Sequence, residues 1–66
     1  MDLIVNGVTR RLPAGTTLAE LVGTLTTQSR GVAVAVNGEV VPRAGWSATS
    51  LADGDRVEVL TAAQGG

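Results

Sequence analysis

Cysteine, histidine, lysine, tyrosine and phenylalanine are all missing from these 66 residues. Without cysteine no disulfide can brace the fold and no thiolate can hold zinc. Without histidine, cysteine, lysine or tyrosine the usual general bases, metal ligands and activated nucleophiles are gone, which leaves carboxylates and plain hydroxyls. Autonomous catalysis is therefore disfavoured. The chain is expected to act as a substrate, carrier or binding module and not as an enzyme.

An excess of positive charge is lacking too. Five basic residues, all arginine, stand against six carboxylates, for a formal net charge of −1. The arginines are scattered at positions 10, 11, 30, 43 and 56, and Trp46 is the single aromatic residue. Nucleic-acid surfaces concentrate basic charge on one face and often interleave stacking aromatics, so no nucleic-acid partner is expected. No apolar run approaches the roughly 20 residues of a membrane span, and Met1-Asp2 opens without a basic region. These features predict no signal peptide, no membrane partner and a cytoplasmic location.

What is present is aliphatic: 44% of the residues are hydrophobic, mostly Val, Leu and Ala. A chain of this length makes one domain and buries only about 60% of its unfolded surface. Leu3-Ile4-Val5, Asn6-Gly7 and Val8 to Leu12 predict a hairpin, because a type I′ turn needs positive φ at both central residues. Arg10 and Arg11 suit an exposed edge strand, where charge discourages pairing with another chain. Thr17 and Glu20 form a Thr-x-x-Glu capping box. Leu18, Leu21, Val22 and Leu25 follow at helical spacing, predicting a helix from Leu18 to Leu25 with one apolar stripe. Val32-Ala33-Val34-Ala35-Val36 is the clearest strand. Asn37-Gly38 turns it into a short strand at Val40-Val41 that Pro42 ends. Arg43 to Ala52 reads as a loop with one tight helical turn near Trp46. Asp53-Gly54-Asp55 is a turn, and Arg56 to Thr61 the last strand.

A hairpin, a crossover helix and further strands predict an α+β domain over residues 1–61, a mixed sheet of four to five strands with one helix on one face. Residues 62–66 are expected to form a flexible tail without backbone partners. Alternation should turn Leu3, Val5, Val34, Val36, Val57 and Val59 towards the helix. Ile4, Ala33, Ala35, Glu58 and Leu60 would face away as a contiguous partner-binding patch, with Gln64 beside it in the tail. Trp46 should cover a small satellite core. Asp53 and Asp55 fall short of calcium's six to eight oxygens, Arg43 reads as a solvated charge, and Asn6 and Asn37 need no role beyond their turns.

Several runs together carry a resemblance to a known family: Ile4-Val5-Asn6-Gly7, Thr17-Leu18 with Leu21, and Ala33-Val34-Ala35-Val36-Asn37-Gly38. Val41-Pro42-Arg43, Trp46, Leu51, Asp53-Gly54-Asp55 and the final Gly65-Gly66 complete it. The whole chain resembles the ThiS family, sulfur carriers of thiamine thiazole synthesis. It departs at Ala62-Ala63-Gln64, where ThiS-like chains often carry a bulky aliphatic residue before the diglycine. The resemblance implies the β-grasp fold of ubiquitin-like proteins, with the first and last strands parallel at the sheet centre. It also implies a reaction cycle. A ThiF-type adenylyltransferase would use ATP and magnesium to adenylate the Gly66 carboxylate, the chain itself binding no cofactor. Sulfur from a persulfide made by a cysteine desulfurase would displace AMP, and the thiocarboxylate would supply a ThiG-type thiazole synthase.

The alternatives are a molybdopterin- or cysteine-synthesis-type sulfur carrier, a ubiquitin-like modifier joined to other proteins through Gly66, and a β-grasp interaction module with an idle tail. The first two carriers tend to be longer chains. The missing lysine rules out self-linked chains of the modifier but not its attachment elsewhere.

Overall fold

The computed structural model of the chain describes residues 1–28 and 30–62. Among them, strands β1 (Asp2–Val5), β2 (Val8–Arg11), β3 (Val32–Val36), β4 (Glu39–Val40) and β5 (Arg56–Thr61) form one sheet in the order β2-β1-β5-β3-β4. Helix α1 (Leu18–Leu25) crosses one face, and a 3₁₀ segment (Arg43–Ala48) follows β4. β1 and β5 run parallel at the centre while the other pairings are antiparallel. This is the mixed β-grasp sheet expected from the sequence.

Both hairpins turn where the Asn-Gly pairs predict. Asn6 and Gly7 have φ of 50° and 80°, Asn37 and Gly38 of 51° and 86°. Each turn therefore uses the left-handed region that asparagine and glycine tolerate best. The second hairpin differs by one residue: β4 is Glu39–Val40 and not Val40-Val41. The two-residue turn sets Val36 opposite Glu39 and Ala35 opposite Val40. Val41 makes one further bond, its N–H donating to Val34 O at 2.9 Å, before Pro42, which has no N–H, stops the ladder.

Helix α1 starts on the predicted capping box. Glu20 N–H donates to Thr17 Oγ1 at 3.2 Å, and Thr17 N–H donates to Glu20 Oε1 at 2.8 Å. Eight residues are too few for a helix to persist alone, so its stability comes from the stripe it buries. Leu18, Leu21 and Val22 are buried against Leu3, Val5, Val34, Val57 and Val59 of the sheet, with Leu25 half-buried. Val36, expected in that layer, is half-buried at its margin. Trp46 belongs to this same core, together with Leu51, and not to a satellite beneath the loop. The 3₁₀ segment presses it against α1, and its indole N–H donates to Val41 O at 2.8 Å. A chain this short cannot support a second apolar cluster, so its largest side chain enters the first.

Candidate functional site

β5 supplies two different surfaces by simple alternation. Val57 and Val59 point inward and are buried, while Glu58 and Leu60 point outward and are exposed. Register then decides what lies beside them. Ala33 sits opposite Leu60 and Ala35 opposite Glu58, and Val40 sits opposite Ala35. Directly opposed residues share a face, so Leu60, Ala33, Ala35 and Val40 form one apolar surface bordered by Glu58. Leu60 and Val40 are 71% and 76% exposed. Together with Asn6 and Val34 these five residues line a shallow depression of about 220 Å³.

Ile4 lies on the same outer face, 37% exposed, but outside this depression. In the parallel pairing of β1 and β5 its lateral neighbour is Arg56, four residues before Leu60, or about 13 Å along the strand. Ile4 therefore belongs to a polar half of the face, with Arg56, Thr9 and the Asp2–Arg11 ion pair. Arg11 Nε donates to Asp2 Oδ1 at 2.9 Å, with the Arg11 side chain largely exposed and that of Asp2 about half so. The Arg11 guanidinium, by its hydrogen bond and then its charge, holds the Asp2 carboxyl below the usual carboxylate range.

The contiguous patch expected from the sequence is thus divided. Ala33, Ala35, Glu58 and Leu60 come together, Ile4 stands apart, and Val40 joins them unpredicted. Its signal was available, since the two-residue Asn37-Gly38 turn places Val40 opposite outward-facing Ala35. Gln64, Gly65 and Gly66 lie outside the described residues.

The two turn asparagines do more than turn. Asn6 Oδ1 accepts from Val59 N–H at 2.8 Å, and Asn6 Nδ2 donates to Val59 O at 3.2 Å. The carboxamide replaces the next main-chain rung of the parallel ladder just where β1 curls into its turn. Asn37 Oδ1 accepts from Arg56 N–H at 3.0 Å, and Asn37 Nδ2 donates to Asp55 Oδ1 at 3.0 Å. Both hairpins are therefore clamped to β5, which fixes the strand that leads to the tail. Asp55 also accepts from Ala52 N–H at 2.8 Å through Oδ2, and Asp53 Oδ1 accepts from Asp2 N–H at 2.6 Å. The Asp53-Gly54-Asp55 carboxylates are thus engaged in turn geometry, and no group of metal-ligating side chains occurs among the described residues. Arg43 stacks on Trp46, its Cζ 5.3 Å from the ring centroid, a contact the reading of a solvated charge did not anticipate.

The ladder continues one residue past Thr61. Ala62 N–H donates to Gly31 O at 2.6 Å, although the sequence pattern places Ala62 in a tail without backbone partners. Ala62, Gly31, Thr61 and Val32 border a second depression that shares Ala33 and Leu60 with the first. The apolar surface therefore abuts Ala62, the last of the described residues. No helix among the described residues is long and apolar enough to cross a membrane.

Residues 3–66 match the family model of the ThiS family. Over 66 residues the chain is 32% identical to the sulfur carrier protein ThiS of Escherichia coli (strain K12), covering all of both proteins. It is 38% identical to part of a thiazole synthase of Paramagnetospirillum magneticum, covering all of this chain and 20% of that protein's length. Among solved structures, the crystal structure of the thiamine biosynthesis protein ThiS from Geobacter metallireducens superposes with a TM-score of 0.82 at 38% identity, covering all of both chains. The solution structure of a thiamine biosynthesis protein from the same organism superposes with a TM-score of 0.81 at 36% identity, covering all of this chain and 88% of that one.

Proposed function

The chain belongs to the ThiS family, and on that premise we propose that it is a sulfur carrier of thiamine biosynthesis whose working group is the carboxylate of Gly66. The observation that carries the reading is the end-to-end match to the carrier of E. coli, on a chain without cysteine to hold a persulfide itself. A terminal carboxylate has a pKa of about 3.3–3.7 and is an anion at neutral pH. As an anion it attacks the α-phosphate of ATP and expels pyrophosphate. Unactivated, it cannot accept sulfur, because oxide would have to leave. As the acyl adenylate it has AMP as leaving group: the terminal sulfur of a persulfide displaces AMP to form an acyl disulfide, and a thiol from outside this chain then attacks the other sulfur, forming a new disulfide and releasing the thiocarboxylate.

This chain supplies the substrate and a docking surface; a ThiF-type adenylyltransferase supplies ATP, magnesium and the catalytic groups. A cysteine desulfurase is the source of the persulfide, and a ThiG-type thiazole synthase takes the product. The apolar surface of Leu60, Ala33, Ala35 and Val40 meets the activating enzyme, Glu58 lies at its rim, and Gln64 follows it in the tail. Gly65 and Gly66, lacking Cβ, pass a narrow channel that any larger residue would fill. Replacing Gly65 by Val tests this. ATP–pyrophosphate exchange by the activating enzyme should fall to background while the melting temperature stays unchanged. Normal exchange by that variant contradicts the proposal.

A further inference from the structure

The geometry at the root of the tail points to Gly31 as a positioning residue that aims the C-terminal segment and thereby sets the rate at which its end is activated; this deepens the carrier reading and rests on it. Three observations meet at Gly31. Its φ is +69°, in the left-handed region. A Cβ added there would stand 2.9 Å from the Ala62 Cβ, inside any normal carbon–carbon contact. Its carbonyl accepts the Ala62 N–H at 2.6 Å, one rung beyond the Val32–Thr61 pair that ends the β3–β5 register.

Gly31 is alone in this among the described glycines. An added Cβ would meet nothing within 4 Å at Gly7, Gly15, Gly23, Gly38 or Gly54, and only an ordinary contact at Gly45. The obstacle at Gly31 is a Cβ fixed to the main chain, not the loose end of a long side chain. Relieving it requires the backbone of Gly31 or of Ala62 to move. Gly31 is exposed and immediately precedes β3, and only atoms of Ala62 lie within 4 Å of where its Cβ would stand.

What depends on this close approach is the direction in which the chain leaves the body. Four residues follow Ala62, a reach of at most about 14 Å when extended. Displacing Ala62 shifts the origin of that reach. Attack on a phosphate requires the reacting atoms within about 3–3.5 Å, and a misplacement of about 1 Å can cost a hundredfold in rate. Neither Gly31 nor Ala62 lines the depression formed by Leu60, Ala33, Ala35 and Val40.

Gly31→Asn is the informative variant. Asparagine already adopts positive φ in this chain at Asn6 and Asn37, so the backbone is tolerated and the added Cβ is the perturbation. With a ThiF-type adenylyltransferase of the same organism, ATP–pyrophosphate exchange should show kcat lowered tenfold or more, with KM and melting temperature near those of the parent. Adding Ala62→Gly removes the opposing Cβ and should restore most of kcat. Parental kcat in Gly31→Asn, a raised KM together with a lowered melting temperature, or no recovery in the double variant would overturn the assignment. A parent chain that supports no exchange at all would overturn the carrier reading and this inference with it, a result distinct from an active parent with an equally active variant.

Discussion

The two faces of β5 are made of neighbouring residues and answer to different demands. Val57 and Val59 are buried in the core with the stripe of α1. Glu58 and Leu60 alternate with them on the outside, and Leu60 is 71% exposed. Leucine in that position buries little of itself, whereas the inward valines belong to the core. The difference teaches that in so small a sheet one face can be committed to stability and the other left for a partner without added sequence. The clamps of Asn6 and Asn37 sit at the boundary, tying both hairpins to the strand that carries both faces.

The comparison breaks most clearly in the core. Leu21→Ala removes a side chain that is 1% exposed and should destabilise by about 2–5 kcal/mol. In a domain with about 5 kcal/mol to lose, that is a large share of the total, and denaturant unfolding should show a much lower midpoint than the parent's. Next comes the boundary. Asn6→Gly keeps the positive φ but removes the carboxamide, leaving the Val59 N–H and C=O without it. An unsatisfied pair of this kind should cost about 1–3 kcal/mol, read as a lower urea midpoint. An unchanged midpoint would mean that the clamp is decorative.

Leu60→Asp sharpens the contrast from the outer side. Its effect on stability should stay within about 0.5 kcal/mol, as for other surface changes. Its affinity for the activating enzyme should fall tenfold or more, measured by titration calorimetry. Equal affinity would remove the outer face from the proposal. The smallest effect belongs to Asp2 and Arg11. Because Arg11 lowers the Asp2 pKa in the folded chain, the pair's stabilisation is complete above the unfolded value of about 3.9 and disappears as pH falls through the lower folded value. The melting-temperature difference between the parent and Asp2→Asn should therefore be small at pH 7 and vanish in stronger acid.

Much of this architecture was legible because its signals are local. The Asn-Gly turns, the Thr17–Glu20 box, the stripe from Leu18 to Leu25 and the Val-Ala alternation each specify geometry within a few residues. What was not legible depended on register between distant segments. Ile4 and Leu60 were correctly expected on adjacent strands, but only the parallel pairing of β1 with β5 shows that Arg56, and not Leu60, is beside Ile4. Trp46 reads as a loop residue until the 3₁₀ segment is seen against α1. The Asn6–Val59 and Asn37–Arg56 clamps and the Ala62–Gly31 bond join residues 53, 19 and 31 positions apart, distances across which no periodicity reports.

The most direct test is the intact mass of the protein isolated from the organism that makes it, growing without supplied thiamine. The account predicts a population in which one oxygen of the chain is replaced by sulfur, localised by fragmentation to Gly66. A chain carrying only the ordinary carboxylate under those conditions, or sulfur placed anywhere else, would contradict it.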